Sequence, residues 1–269
     1  MSLEHLRQIY PVIQLTAGDF EVNAVRTGGD GKPIILLPGA QGTSEIFFKQ
    51  LLAWGGKRNM LSLTYPPLTD PELLAENVVA LANKLQLQSF DIIGSSYGGY
   101  LAQWISVKHG ERVGKLVIGN SFQDPRPAQS PEKLQGLEVK SGDELKAEAV
   151  ARLAAMPDNE FRHTMLDLVG SHQPASMLRS RMIAVQKAVP VPSLSIDNSR
   201  LLIIECDNDP LISAPMRDAI RSHYSGAKHC TINGGGHYPY LLKPDKYNAE
   251  VGSFLEIMAW LFPLSQQYC

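Results

Sequence analysis

The sequence predicts an α/β protein with a mostly parallel sheet flanked by helices, and two observations carry the prediction. Short apolar runs at residues 34–37, 60–63, 90–93, 115–118 and 201–204 each end in a polar or glycine-rich stretch, as strands buried on both faces do. Between them lie stretches of helical spacing; in 71–87, Leu73, Leu74, Val78, Leu81, Ala82 and Leu85 recur three and four apart. Parallel neighbours need a long crossover, and a helix supplies it.

At 269 residues, with 44% hydrophobic and 19% charged, the chain can build one sizeable core. A net charge of −2 with no basic run argues against nucleic-acid or acidic-membrane partners. No stretch reaches the ~18 to 20 apolar residues of a transmembrane helix, and Met1 to Arg7 lacks the apolar core of a signal peptide, so a cytoplasmic protein is expected. Cys206, Cys230 and Cys269 are too scattered for a disulfide framework or a Cys-x-x-Cys metal site and are expected as free thiols.

In chain order, the apolar alternations at 12–15 and 20–25 should pair as strands where the sheet begins, followed by turn residues at 27–33. The strand and helix alternation then holds as far as Asn120 and Ser121 and breaks. Residues 123–195 contain no convincing strand but helical patterns at about 142–155, 159–169 and 175–188, between proline-rich stretches at 123–131 and 189–192. The expected division is a core domain of 1–122 and 196–269 with a helical cap, or lid, inserted at 123–195. Methionines such as Met156, Met165, Met177 and Met182 in that insertion suit a surface that repacks around an apolar small molecule.

The stretch 90–104 reads as a buried strand, the turn Gly94-Ser95-Ser96-Tyr97-Gly98, and an apolar-periodic helix. It fits a nucleophile elbow, in which a serine sits on a strained turn and flanking glycines remove Cβ atoms where helix meets strand. Ser96 is the candidate nucleophile. A serine that merely caps the helix would not require glycines on both sides, and Ser95 would be flanked by Ile93 and Tyr97 instead.

A serine hydroxyl needs a base, ordinarily a histidine oriented by a carboxylate. Of seven histidines, His237 lies in the glycine loop Gly234-Gly-Gly-His-Tyr-Pro-Tyr240, whereas the other six lie in polar or helical settings. The strand at 201–204 leads to two candidate acids, Asp207 and Asp209. Asp209 is favoured because it opens an Asp-Pro-Leu-Ile turn before the next helix. An oxyanion hole needs two N–H donors; Tyr97, which follows the nucleophile, supplies one and Ala40 in the loop 38–43 is the candidate for the other, although a plain turn would also use those glycines.

With these residues in hand, the chain resembles the α/β-hydrolase superfamily over nearly its whole length. Leu37-Pro-Gly-Ala40, the elbow, Asp209-Pro-Leu and Gly236-His237 follow in that order, and Ser, Asp, His is the superfamily's order. The resemblance implies an eight-stranded, mostly parallel sheet, a helical cap after the sixth strand, and no metal or organic cofactor. Residues 36–50, 87–103 and 117–124 are most similar to the maspardin branch, which is viewed as a binding or adaptor group and lacks the loop histidine that this chain keeps at His237. Two positions depart from the superfamily pattern: Pro38 stands where a histidine is usual, and Cys206 where a glycine is usual.

The expected activity is therefore that of a carboxylesterase-like serine hydrolase acting on an ester, thioester or related acyl bond, with Ser96, Asp209 and His237 as triad and Ala40 and Tyr97 as oxyanion donors. A non-catalytic maspardin-like binding protein, and an acyltransferase or lyase using the same triad, are the alternatives.

Overall fold

A computed structural model describes residues 1–257. Eight strands, β1 (Val12–Ala17), β2 (Phe20–Arg26), β3 (Gly31–Leu37), β4 (Arg58–Thr64), β5 (Phe90–Ser95), β6 (Val113–Gly119), β7 (Leu201–Cys206) and β8 (Lys228–Ile232), form one sheet in the order β1-β2-β4-β3-β5-β6-β7-β8. The β1–β2 and β2–β4 pairs are antiparallel; every other pair is parallel.

Alternation in the central strands sorts side chains onto two faces. Ile35 and Leu37 of β3 join the core beneath α3 (Pro71–Lys84), α4 (Tyr97–His109) and α9 (Ala214–His223). Ile34 and Leu36 join the opposite core, with α1 (Leu3–Ile9), α2 (Phe48–Trp54), α10 (Pro239–Leu242) and α11 (Pro244–Phe254). All four side chains are fully buried, and each contributes about 1.5–3 kcal/mol. Because β3 pairs with β4 on one side and β5 on the other, the connections after β3 and β5 diverge. A crevice outside the strand ends is the usual binding place at such a switch point.

The helical spacing in 71–87 outruns the helix it signals. Asp70 caps α3 through Glu72 N and Leu73 N, but α3 ends at Lys84. Gln86 then turns left-handed at φ +59°, and Leu87 N bonds back to Ala82 O at 2.9 Å, which tucks the Leu87 side chain into the core from outside the helix.

Between β6 and β7 run α5 (Pro131–Val139), α6 (Gly142–Ala154), α7 (Glu160–Met165) and α8 (Ala175–Lys187). Ser141 and Glu144 close a capping box at the start of α6. The helix expected over 159–169 divides, since after Met165 the chain widens into a π-helical turn over Leu166–His172. Helix α5 escapes a periodicity reading because it buries no residue and so has no apolar stripe. Among the described residues no helix is long and apolar enough to cross a membrane. Cys206 and Cys230 are free; Cys269 lies outside the described residues.

Candidate active site

Ser96 links β5 to α4 with φ +54° and ψ −123°, a conformation that costs a non-glycine residue of order 1–3 kcal/mol. The surroundings hold it there. Ser96 N donates to Gly119 O at 2.8 Å, and Ser96 O accepts from Gly99 N at 2.9 Å and Ser121 Oγ at 2.7 Å. The flanking glycines are required by contact: a Cβ on Gly98 would lie 1.9 Å from Leu37 O, and one on Gly94 2.3 Å from Gly98 O. Tyr97 opens α4, where an N–H has no acceptor within the helix, and its ring is fully buried, so its backbone is the part that can serve a ligand.

Asp209 and His237 are both buried and bonded to each other: His237 Nδ1 lies 2.8 Å from Asp209 Oδ2 and 3.0 Å from Oδ1. The carboxylate is saturated by other donors, namely Asn120 Nδ2 to Oδ2 at 2.6 Å, Leu211 N to Oδ1 at 2.8 Å and Ile212 N to Oδ1 at 3.1 Å. Burial alone would raise the Asp209 carboxyl, but the His237 bond and charge, with Asn120 and Leu211, outweigh it and hold the group below the usual carboxylate range. With Nδ1 committed to Asp209, Nε2 is the ring nitrogen left to take a proton.

Asp207 is exposed and does something else. Its Oδ1 accepts from Gly234 N at 2.9 Å, while Asn208 Oδ1 accepts from Gly236 N at 2.8 Å, so the two residues pin the loop that presents His237. Gly234 and Gly236 adopt φ +67° and +57°, which explains the glycines before the histidine.

The loop after β3 passes against the serine: a Cβ on Gly39 would lie 3.1 Å from Ser96 Cβ and 3.6 Å from Ser96 Oγ. Gly42 N donates to Gly39 O at 3.0 Å, closing a turn around Ala40, and Tyr65 Oη donates to Pro38 O at 2.9 Å. Gly39, Ala40, Ser96 and His237 all line one cavity of about 760 Å³; Asp209 sits behind His237, outside it. Core residues Phe122, Ile212 and Met216, and Leu137, Leu145, Met182 and Val185 from the helices between β6 and β7, make its apolar wall, with Lys133, Lys140, Glu148 and Arg152 as its charged part.

Residues 34–250 match the model of the alpha/beta hydrolase family. The chain belongs to that family. Maspardin of Danio rerio is 27% identical over 233 residues, covering 84% of this chain and 73% of that one. The esterase EaEST from Exiguobacterium antarcticum superposes with a TM-score of 0.76 at 17% identity, over 90% of this chain and 98% of that one. A thermophilic esterase from Thermogutta terrifontis gives 0.75 at 17% identity, over 91% and 98%. At these identities the two structures establish the shared fold and nothing finer.

In this alpha/beta hydrolase the structure thus brings Ser96, Ala40 and His237 to one cavity, with Asp209 bonded behind the histidine and Tyr97 opening the helix next to the serine. Sequence reasoning missed one residue of the cluster. Asn120 follows β6 directly with φ +43°, and its Nδ2 bridges Asp209 Oδ2 and, at 2.9 Å, Gly236 O, so it ties the acid to the histidine loop. The available signal was an asparagine directly after a buried strand, a residue that tolerates the left-handed region. Of the methionines expected at an apolar binding wall, Met182 faces the cavity, whereas Met165 is packed in the core.

Proposed function

We propose that this chain is a serine hydrolase that cleaves an ester, thioester or related acyl bond through an acyl-enzyme. The observation that carries the reading is the buried pair of His237 and Asp209, the histidine having no bond to its second ring nitrogen among the described residues and lining the same cavity as a serine held at positive φ. Ser96 Oγ attacks the carbonyl carbon as its proton passes to His237 Nε2. The charge that develops on the carbonyl oxygen is met by the N–H groups of Ala40 and Tyr97. Collapse breaks the bond to the leaving group, which takes the proton from His237; water, deprotonated by the same nitrogen, then attacks the acyl-enzyme and Ser96 recovers its proton. Asp209 stays ionised throughout and stabilises the imidazolium, for which its depressed carboxyl is suited.

The reading requires no cofactor and no metal. Residues 123–195 act as the cap, and the substrate is a small molecule with an apolar acyl or alcohol group, because most of the wall beyond the catalytic residues is apolar. The reading takes the protein as cytoplasmic and without a nucleic-acid partner, the latter supported by a net charge of −2 with no basic run.

A fluorophosphonate tests this directly, since it reacts only with a hydroxyl activated by a base and flanked by oxyanion donors. Stoichiometric labelling at Ser96 is expected at pH 8, absent in Ser96→Ala and lower by orders of magnitude in His237→Asn. If folded protein resists several probes of different size, the non-catalytic maspardin-like binding reading replaces this one. If labelling occurs, product analysis with a reactive ester separates hydrolysis from acyl transfer or a lyase step.

A further inference from the structure

Arg181, in the middle of α8, is the largest fully buried side chain of the described residues, and among them it has no carboxylate partner. Its Nη1 donates to Gly42 O at 2.7 Å and its Nε to Met177 O at 3.2 Å, while its guanidinium lies 5.5 Å from the centre of the Tyr65 ring. Nη2 finds no partner among the described residues. Burial lowers the group only to about 10, so it is charged at neutral pH. Burying a charge without a counter-ion costs several kcal/mol, and a leucine or methionine would fill a helix–core contact without that cost.

What the guanidinium touches suggests why it is there. Gly42 O is one end of the turn whose other end, Gly39 O, accepts from Gly42 N. Tyr65, the ring beneath the guanidinium, donates its hydroxyl to Pro38 O. The loop closes tightly on itself, since a Cβ on Gly42 would meet Pro38 Cβ at 2.6 Å. The stacked pair Arg181 and Tyr65 therefore grips both ends of the segment that holds Ala40. Pro38, where the superfamily usually has a histidine, has no N–H and no polar side chain with which to fix the loop from within.

We propose that Arg181 is a positioning residue that reaches from α8 of the cap to set the oxyanion loop, so that the Ala40 N–H is aimed at the reacting carbonyl only while α8 is docked. The proposal rests on the serine-hydrolase reading above. It couples two parts that are distant in sequence: whatever shifts α8 also moves the donor. Tyr65 acts with Arg181 from the core side, through Pro38 O.

The test uses Arg181→Met, Arg181→Lys and Tyr65→Phe in the full-length protein, once fluorophosphonate labelling of the wild type at Ser96 is established. Each variant is compared for kcat and KM on one p-nitrophenyl ester, for affinity toward a trifluoromethyl ketone, which forms an oxyanion on Ser96, and for affinity toward the matched methyl-bearing alcohol, which does not. A donor displaced by about 1 Å costs on the order of 10² in rate, so Arg181→Met should lower kcat and ketone affinity together by about that factor. Its KM and alcohol affinity should stay within about two-fold, because ground-state binding is untouched. Arg181→Lys, which can keep the single bond to Gly42 O, should fall between, and Tyr65→Phe should show the same pattern at roughly three- to ten-fold, as expected for one lost hydrogen bond of about 0.5–1.5 kcal/mol.

The proposal is overturned if Arg181→Met and Tyr65→Phe keep the wild-type kcat and labelling rate. It is equally overturned if ketone and alcohol affinities fall by the same factor, which would mark Arg181 as a structural anchor. Should Arg181→Met fail to fold, Tyr65→Phe decides by the same criteria. A wild type that does not label sinks the hydrolase reading and this inference with it, whereas a wild type that labels alongside indifferent variants sinks this inference alone.

Discussion

The two sides of the cavity are built by different means. On the histidine side, Asn120, Asp209 and His237 stand at or just beyond the ends of β6, β7 and β8, and the sheet's own pairing places them. Every oxygen of the carboxylate there has at least two donors, so the cluster needs nothing from residues 123–195. On the other side, that of the proposed oxyanion donor Ala40, the loop after β3 has a proline at its start, and its carbonyls are held by Tyr65 and by Arg181 from α8. The first side is completed by the core alone; the second depends on a helix contributed by another part of the chain. Changes on the histidine side should therefore alter proton transfer, and changes on the other side should alter charge stabilisation and ligand fit.

The largest expected effect is on the histidine side. Asp209→Asn should lower kcat by about 10³ to 10⁴, because an amide lets the imidazole adopt the wrong tautomer. The same substitution should change acid stability. Asp209 is held below its ordinary value in the folded protein, so its contribution to stability is fully present above the unfolded carboxylate value of about 3.9 and is lost as pH falls through the depressed folded value. Stability measured by urea unfolding between pH 2 and 5 should fall less steeply for Asp209→Asn than for the wild type. Equal slopes would mean that the pair with His237 is not formed in solution.

Next comes Asn120→Ala, which removes the bridge from Asp209 to the histidine loop while leaving the His237 bond in place. A misplaced but intact pair should cost roughly 10- to 10²-fold in kcat. It should also cost about 1.5–3 kcal/mol of stability, the range for a hydrogen bond to a charged group. If activity holds while stability drops, Asn120 braces the fold rather than the acid.

These cases show which parts of the site a sequence can reveal. The elbow and the Gly234 to His237 loop were legible because their constraints are local: a left-handed turn or a close helix approach demands glycine within a few positions of the functional residue. The strand and helix alternation was legible for the same reason, since each buried run carries its own period. Asn120 and Arg181 were not, because their roles exist only through partners far along the chain, Asp209 and Gly42. An arginine in the middle of an α8-like pattern reads as a solvated face, and nothing nearby signals that the helix turns it inward. The fate of the insertion's apolar residues was hidden likewise, for period marks a buried face without saying whether core or cavity covers it.

On the oxyanion side, the apolar wall from Leu137, Leu145, Met182 and Val185 gives a graded expectation. Each methylene added to a straight acyl chain should raise kcat/KM by up to about four-fold, the equivalent of ~0.8 kcal/mol per buried CH₂, until the cavity is filled. A series of p-nitrophenyl esters from acetate upward measures this. A flat profile, or selectivity for a polyanionic acyl group, would show that the wall does not receive the chain.

The smallest expected effect returns to the histidine side and separates its two aspartates. Asp207 shares the strand-end segment with Asp209 and was the rival candidate for the acid, but its carboxylate is exposed and accepts one hydrogen bond, from Gly234 N. Asp207→Asn keeps a side-chain oxygen that can accept that bond, and a solvent-exposed exchange of this kind ordinarily stays within about 0.5 kcal/mol. The glycine loop retains its second anchor, the bond from Gly236 N to Asn208 Oδ1 at 2.8 Å. A kcat within about two-fold of the wild type is therefore expected, alongside the loss of three to four orders of magnitude in Asp209→Asn. Measuring both under one condition ranks the two carboxylates independently of any substrate assignment. If Asp207→Asn proves the more damaging, the acid that serves His237 in solution is not the one bonded to it here.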